Sequence, residues 1–190
     1  MNLDFASVWE LVADLVPEND ALICGEEVVS WKDYDLRSSK IAAALSSKGL
    51  GPNSKAGLYL NNSNEYLIGQ NAIFKIGGVP INVNYRYVEE ELIYLLDNSD
   101  AEAVFYHACY SSRIKEIAKS LPNIKAWIEV PDGTASNVDE GMKYEEVLKE
   151  FGGDPKTDKI AGFIYIGNKQ KEPIERRRPI KNKIINFIDK

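Results

Sequence analysis

The spacing of apolar residues along this chain switches between a helical period and short strand-like runs. Val8, Leu11, Val12 and Leu15 follow the spacing of an amphipathic helix that ends near Pro17. The same pattern, bounded by glycine or proline, predicts helices that begin at Ser30 and that cover 65–76, 88–96, 114–121 and 144–151. Apolar runs between turn residues predict strands at 21–24, 27–30, 55–60, 79–83, 101–106, 125–130 and 163–166.

The order of these elements predicts the fold class. From residue 55 onward strands and helices alternate, which is typical of an α/β fold with a mainly parallel sheet flanked by helices. Before that, Gly25-Glu26 between two short strands predicts a hairpin. Pro80 lies within one predicted strand, and proline donates no hydrogen bond to a ladder. We therefore expect Pro80 at the first residue of its strand or at a bulge.

Composition is that of an ordinary globular protein. The 190 residues, with 44% hydrophobic and 27% charged residues, fit one domain or one domain plus a tail. No apolar run approaches the ~20 residues that cross a bilayer, and the first 16 residues lack the basic start of a signal peptide. The sequence therefore predicts a cytoplasmic protein. A disulfide between Cys24 and Cys109 is possible but not required, and these two with His107 cannot complete a zinc site without Asp or Glu.

Charge divides the chain into an acidic body and a basic tail. Residues 167–190 contain eight Lys or Arg and three Asp or Glu, although the whole chain carries a net charge of −6. We therefore predict a domain at 1–166 and a tail at 167–190. The run Arg176-Arg177-Arg178 could attract nucleic acid or an anionic membrane. It has no interleaved aromatic residues, so a disordered or unrelated tail is the favoured interpretation and no specific nucleic-acid partner is expected.

Asn82, Asn84, Tyr85 and Arg86 are the candidate site residues. They follow a predicted strand, and open α/β sheets place ligands beyond the carboxyl ends of their strands. The alternative is a polar turn in which Arg86 pairs with one of the glutamates at 89 and 90.

Three other features favour structural interpretations. Gly77-Gly78 could approach a ligand closely but more often ends a helix. His107 follows a strand without an evident catalytic partner, which favours a surface or capping role. Cys109 is expected to be an inert buried thiol.

Several motifs resemble the adenylate-forming, AMP-forming acyl-CoA synthetases. The most specific is the segment 75–86, which reads KIGGVPINVNYR. The supporting motifs, in the family's order, are WKDYDLR at 31–37, IAAAL at 41–45, GLGPNS at 49–54, NSNEY at 62–66 and ELIYLLDNSDA at 91–101. The resemblance covers roughly the first 150 residues and is strongest to fatty-acyl and aryl-acid CoA ligases.

The resemblance implies ATP, Mg²⁺ and coenzyme A as the cofactors of an intact enzyme. It places Asn82, Asn84, Tyr85 and Arg86 on the acyl-substrate side. The family's phosphate loop, Thr-Gly-Gly-Thr-Thr-Gly-x-Pro-Lys-Gly, should follow the predicted strand FIYI at 163–166. Here GNKQKEP follows instead, with one glycine and no hydroxyl. No catalytic, cofactor-binding or metal-binding residue is therefore assigned, and no cofactor is expected for this chain alone.

Two functions from different classes follow from these observations. The first is a truncated acyl-CoA synthetase, inactive by itself. The second is a binding or regulatory module that pairs with a full-length relative or a complementary fragment. In either case a sheet that later segments complete in the family would keep an open edge here, so we expect marginal stability or association.

Overall fold

The computed structural model describes residues 4–135 and 141–150, and all statements on the fold refer to these residues. Six α-helices are present among them. They are α1 (Phe5–Leu15), α2 (Trp31–Ser47), α3 (Asn64–Lys75), α4 (Glu89–Asn98), α5 (Ser111–Ile117) and α6 (Tyr144–Glu150). Single 3₁₀ turns flank α5 at Ala108–Tyr110 and Ala118–Ser120.

Seven strands form two sheets within the described residues. The strands are β1 (Asp20–Cys24), β2 (Glu27–Ser30), β3 (Lys55–Tyr59), β4 (Val79–Asn82), β5 (Ala101–His107), β6 (Ala126–Val130) and β7 (Met142–Lys143). Strands β1 and β2 form the predicted antiparallel hairpin. The other five lie in the order β4-β3-β5-β6-β7 and every pair is parallel. The predicted α/β class is therefore confirmed, and β7 is a strand that the sequence pattern did not predict.

Local signals explain where α2 begins. The backbone N–H of Asp33 donates to the hydroxyl oxygen of Ser30 at 3.1 Å, and that hydroxyl in turn donates to the Asp33 carboxylate at 3.0 Å. Such a reciprocal cap satisfies a backbone donor that the first turn leaves open. The helix start predicted at Ser30 is confirmed.

Two apolar cores lie on opposite faces of the parallel sheet. Leu58 and Phe105 pack on one face against α2, α3 and α6, whereas Tyr59, Val104 and Tyr106 pack on the other against α4 and α5. This division follows from the period of two along a strand. The result is a three-layer sandwich of helices, sheet and helices.

The chain reverses its direction of winding between β3 and β5. From β3 it crosses through α3 to β4 on one side, and it then returns through α4 to β5 on the other side of β3. Right-handed crossovers in opposite directions place α3 and α4 on opposite faces, as the two cores show. The carboxyl ends of β3 and β5 therefore meet at a topological switch point.

Gly77 and Gly78 end α3 and lead directly into β4. Gly77 adopts a φ of +71°, the left-handed conformation that glycine accepts without steric cost. Gly78 donates its N–H to the Ile73 carbonyl at 2.9 Å. The helix-ending interpretation of this pair is therefore the one that the structure supports.

Pro80 is the second residue of β4, and no bulge interrupts its register with β3. The expectation of a first residue or a bulge was wrong. The backbone N–H groups of Val79 and Val83 donate to carbonyls of the β3 segment at 2.8 and 3.2 Å, so the nitrogen of Pro80 faces away from β3. Because β4 is an edge strand, no ladder hydrogen bond is lost there.

A lysine joins the three helices α1, α2 and α3. The ammonium of Lys75 lies 2.5 Å from the Glu10 carboxylate and 2.8 Å from that of Asp35. Only 4% of the Lys75 side chain is exposed. This triad fixes α1 and α2 against the end of α3.

Two helix patterns were correct only in part, since Leu92 and Leu96 of α4 are buried as their spacing predicts, whereas Val12 and Leu15 of α1 are half-buried. Val8 and Leu11 of α1 are exposed, while Ala6 and Ala13 are buried. Val88, which precedes α4, is also exposed.

Some expectations lie outside the described residues. These are the strand at 163–166, the end of the domain at 166, the basic tail 167–190, and most of the loop between 134 and 141. Among the helices that the structure describes, none is both long enough and apolar enough to cross a membrane.

Candidate functional site

The four candidate residues lie together, Asn82 at the end of β4 and the other three on the turn that follows it. All four are exposed. The side-chain oxygen of Asn82 accepts a hydrogen bond from the Tyr66 hydroxyl at 3.2 Å, so two motifs of the resemblance meet here. Asn84 accepts the backbone N–H of Arg86 through its side chain at 3.0 Å, and the Arg86 guanidinium lies 5.4 Å from the centre of the Tyr85 ring. The turn therefore presents a stacked aromatic–cation pair to solvent.

The polar-turn alternative is correct in part. Asn84 closes the turn through its side chain, as such an alternative requires. However, the Glu89 carboxylate pairs with Arg113 at 2.9 Å, and Arg86 stacks on Tyr85. A contact between the four candidates and a substrate stays a prediction.

Arg113 lies under this turn and joins three elements. Its Nη1 donates to the Tyr59 hydroxyl at 2.6 Å and to the Tyr87 carbonyl at 3.0 Å, and its Nε donates to the Glu89 carboxylate at 2.9 Å. The Tyr59 hydroxyl also donates to the Tyr87 carbonyl at 3.0 Å. One guanidinium thus links β3, α5, the turn and the first turn of α4.

The charges in this cluster support one another. A hydrogen bond from its own backbone N–H and the Arg113 guanidinium hold the pKa of Glu89 below its ordinary value. Although desolvation acts to lower the pKa of Arg113, hydrogen bonds to Tyr59 and Glu89 outweigh it and raise that pKa. Burial raises the pKa of Tyr59. The ion pair therefore stays charged across the neutral range.

A second set of contacts follows the switch point between β3 and β5. The Tyr59 and Tyr110 rings lie 4.5 Å apart between their centres, and the Tyr110 hydroxyl donates to the Asn61 side chain at 3.0 Å. The backbone N–H of Asn61 donates to Nδ1 of His107 at 3.0 Å. Continuous contacts therefore run from His107 past β3 to the turn that carries the candidate residues.

His107 is buried, so the expectation of a surface histidine was wrong; it is the N-cap residue of the 3₁₀ turn Ala108–Tyr110, but its side chain makes no capping hydrogen bond. The residue is 5% exposed, and its Nδ1 is an acceptor, which requires an unprotonated nitrogen at that position. Burial lowers the pKa of His107, while the nearby carboxylates of Asp132 and Glu65 act in the opposite direction. The neutral ring is therefore the form that this site stabilises.

We expect the stability of the protein to decline as pH falls through the range in which His107 titrates. The pKa of His107 is lowered in the fold, so the unfolded chain binds the proton more readily. The stabilisation that comes from the neutral ring is then fully present above the unfolded pKa of about 6.5. It is lost as the pH falls below that value, with a slope of at most about 1.4 kcal/mol per pH unit. Urea unfolding between pH 7.5 and 5 measures the effect.

The control for this prediction is His107→Asn, which keeps an acceptor in place of Nδ1 but does not titrate. His107 is the one histidine of the chain, so no other imidazole contributes. The native protein should lose more stability than the variant over this range. Parallel curves for the two proteins would contradict the prediction.

Cys109 is exposed and is not the buried thiol that was expected. Its backbone N–H donates to the Asp132 carboxylate at 3.0 Å. Partial desolvation and the neighbouring Asp132 raise the pKa of Cys109 to about 11. The thiol is therefore protonated near neutral pH and is a poor nucleophile, so the expected inertness has an electrostatic cause. Both Cys109 and Cys24 are free thiols.

A buried carboxylate lies on β6, next to Tyr106 of the neighbouring strand β5. Glu129 of β6 is buried, its Oε1 lies 2.6 Å from the Lys143 ammonium, and the Tyr106 hydroxyl donates to Oε2 at 3.4 Å. The ion pair compensates the buried charge. In the part of the chain that the structure describes, no group of three or more His, Cys, Asp or Glu is placed to hold a metal ion.

Sequence reasoning missed most of the polar groups at this edge. Tyr59, Tyr106 and Glu129 lie inside apolar strands, and nothing in the local pattern separates them from core residues. Nothing in the sequence around Arg113 indicates its contact with the turn. A signal was available for Asn61 alone, because polar residues directly after a buried strand occupy the ligand edge of such sheets.

The fold defines the class as an α/β protein with a parallel sheet and polar groups at its carboxyl edge. The model of the AMP-binding enzyme family matches residues 9–172. The chain therefore belongs to the AMP-binding enzyme family, as the resemblance predicted.

Several of the relatives that match this chain are acyl-CoA ligases. A 3-oxocholest-4-en-26-oate–CoA ligase of Rhodococcus rhodochrous is 36% identical over 87% of this chain and 30% of its own length. A medium/long-chain-fatty-acid–CoA/3-oxocholest-4-en-26-oate–CoA ligase of Mycobacterium marinum is 39% identical over 70% of this chain and 24% of its own length. The chain thus spans less than a third of the length of these relatives.

A solved structure confirms the fold. The acetoacetyl-CoA synthetase of Streptomyces lividans superposes with a TM-score of 0.71 over 77% of this chain and 25% of that protein, at 18% sequence identity. At this identity the likeness supports the fold alone.

Proposed function

We propose that this chain supplies the N-terminal part of an AMP-forming acyl-CoA synthetase and does not activate a carboxylic acid by itself. In the complete reaction a carboxylate attacks the α-phosphate of ATP, which gives an acyl-adenylate and releases pyrophosphate. The thiol of coenzyme A then displaces AMP and forms the thioester. The family match over 9–172 supports the class of reaction.

The observation that carries this proposal is the sequence where the phosphate loop should lie. Transfer at a phosphate needs free backbone N–H groups, hydroxyls and a metal ion to offset the developing charge. The segment GNKQKEP at 167–173 contains one glycine and no serine or threonine. It therefore lacks the side chains that bind nucleotide phosphates and Mg²⁺ in the family's loop.

We further propose that the described residues hold no Mg²⁺ or ATP site of their own. They contain no cluster of three metal-ligating side chains. The guanidinium of Arg113 is already bound to Tyr59, Tyr87 and Glu89. We therefore derive no reaction step through these groups on this chain.

The names of the relatives favour an aliphatic acid over an aryl acid as the substrate of the complete enzyme. The two relatives described above are named for medium- or long-chain fatty acids and for a sterol-derived carboxylate. We propose that class, with the exposed turn of Asn82, Asn84, Tyr85 and Arg86 on the substrate side.

The exchange of labelled pyrophosphate into ATP tests the proposal directly. We expect no exchange above the buffer level when the purified chain is supplied with Mg²⁺, ATP and a panel of medium-chain, long-chain and sterol-type acids. A full-length member of the family is the positive control. Robust acid-dependent exchange by this chain alone would show that it holds a nucleotide site of its own.

A second function, as a binding module that pairs with a full-length relative or a complementary fragment, is favoured by the edge of the sheet. Among the described strands, β4 is paired on one side, and Val79, Tyr85 and Val88 around it are exposed. Light scattering of the chain mixed with a full-length relative tests this function. A heterodimer, or a changed exchange rate of the relative, would support it, and unchanged elution and rate would exclude it.

A further inference from the structure

The turn between β4 and α4 makes few hydrogen bonds of its own. The Arg86 N–H donates to the Asn84 side chain and the Tyr87 N–H to the Asn84 carbonyl, both at 3.0 Å, and the Val88 N–H donates to the Glu91 carboxylate at 3.0 Å. The Asn84, Tyr85 and Arg86 side chains are exposed, and within this turn Tyr87 alone packs against the apolar core, half-buried. A turn of this kind opens easily unless other elements bind its backbone.

Arg113 supplies that external binding. It reaches the turn through the Tyr87 carbonyl and the start of α4 through Glu89, while its third partner is the buried Tyr59 hydroxyl. A guanidinium is planar and rigid, so three bonds from one group fix both the distance and the orientation of what it binds. The Tyr59 hydroxyl reinforces the contact because it donates to the same Tyr87 carbonyl.

We propose that Arg113 is a positioning residue that, together with Tyr59, holds the 84–88 turn in the conformation that presents the Tyr85–Arg86 pair. It acts through the Tyr87 carbonyl, and its own side chain is 28% exposed. The role of this turn in binding a substrate rests on the proposed function. The conformational claim does not, because the contacts of Arg113 are independent of activity.

Hydrogen exchange on the native chain, resolved by peptide or by residue, tests the proposal. We compare the amides of 86–88 with those of the buried strand β5 in the native protein and in Arg113→Gln, which keeps a polar side chain but loses the planar cation. We expect exchange at 86–88 to rise at least tenfold, whereas exchange in β5 changes less than twofold.

Three variants make the test specific. Lys119→Gln, which removes one positive charge close to α5, should leave exchange at 86–88 unchanged. Arg113→Lys keeps the charge but not the planar guanidinium, and it should not restore the protection of the 86–88 amides. Because Arg113 and Tyr59 act on one carbonyl, Arg113→Gln combined with Tyr59→Phe should raise exchange by less than the product of the single effects.

The proposal is overturned if Arg113→Gln changes exchange at 86–88 less than twofold, or if β5 opens to the same extent. It is also overturned if Arg113→Lys restores full protection, since charge alone would then explain the effect. Pyrophosphate exchange is measured separately, so failure of the proposed function and failure of this inference give different results.

Discussion

Gly78→Ala is expected to lower the free energy of unfolding by about 2 kcal/mol, within the range for forcing extra atoms into a packed site. A Cβ at this position would lie 2.8 Å from the Ser54 carbonyl oxygen, 3.0 Å from Cγ2 of Ile73 and 3.1 Å from the Ile73 carbonyl oxygen. Two of these atoms belong to the backbone and cannot rotate away. Urea unfolding of the variant and the native chain measures the difference.

Gly51→Ala is the matched control. A Cβ at Gly51 would meet no atom within 4 Å, and its φ lies outside the positive range. We expect a change within about 0.5 kcal/mol, as at a surface position, or a slight stabilisation from the stiffer unfolded chain. Equal effects of the two substitutions would show that Gly78 is not held at a close approach.

The order of elements was predictable because its signals are local. A capping serine starts α2, Gly77 ends α3, and the alternation of helix and strand periods places four of the five strands of the parallel sheet. The missed strand β7 has two residues, which is too short for a period of two to be seen. Pro80 was misplaced because the prediction did not identify β4 as an edge strand, where proline is tolerated.

The position of Pro80 on an edge strand also changes the prediction of an exposed sheet edge that is prone to association. Pro80 occupies one of the positions of β4 whose N–H would otherwise point away from β3. Proline on an edge strand removes a donor for pairing with another chain. The described edge is therefore less open to β-pairing than the sequence alone suggested, and association remains a prediction.

The candidate site was only partly predictable, because its supporting contacts join distant parts of the chain. Arg113 and Tyr59 are 54 residues apart, and Arg113 and Tyr87 are 26 apart. Sequence placed Asn82 to Arg86 after a strand; the structure confirms this for Asn84, Tyr85 and Arg86, while Asn82 is the last residue of β4. Only the packing of α5 beneath the turn shows what holds them. His107 and Cys109 show the same limit: two residues apart, one is buried and the other exposed because the chain leaves β5 between them.

Lys75→Met is expected to cost about 2–3 kcal/mol of stability, somewhat below the 3–5 kcal/mol range for breaking a fully buried ion pair. The ammonium is 4% exposed and lies against both Glu10 and Asp35. Methionine keeps the apolar contacts of the side chain but leaves both carboxylates without this cation. The expected loss of stability lies below that range because the Glu10 and Asp35 side chains are 49% and 33% exposed and retain part of their hydration.

Two comparisons separate the lost charge from lost packing. Lys32→Met removes the partner of Glu18 from an exposed pair 3.9 Å apart and should change stability by less than about 0.5 kcal/mol. Adding Glu10→Gln and Asp35→Asn to Lys75→Met removes the uncompensated charges and should recover most of the loss. If the triple variant stays as unstable as Lys75→Met, packing and not charge is responsible. Lys75 is the first residue of the segment 75–86, which resembles the family most. The expected recovery would show that this residue has a structural role, because it joins three helices on the face of the sheet opposite Arg113.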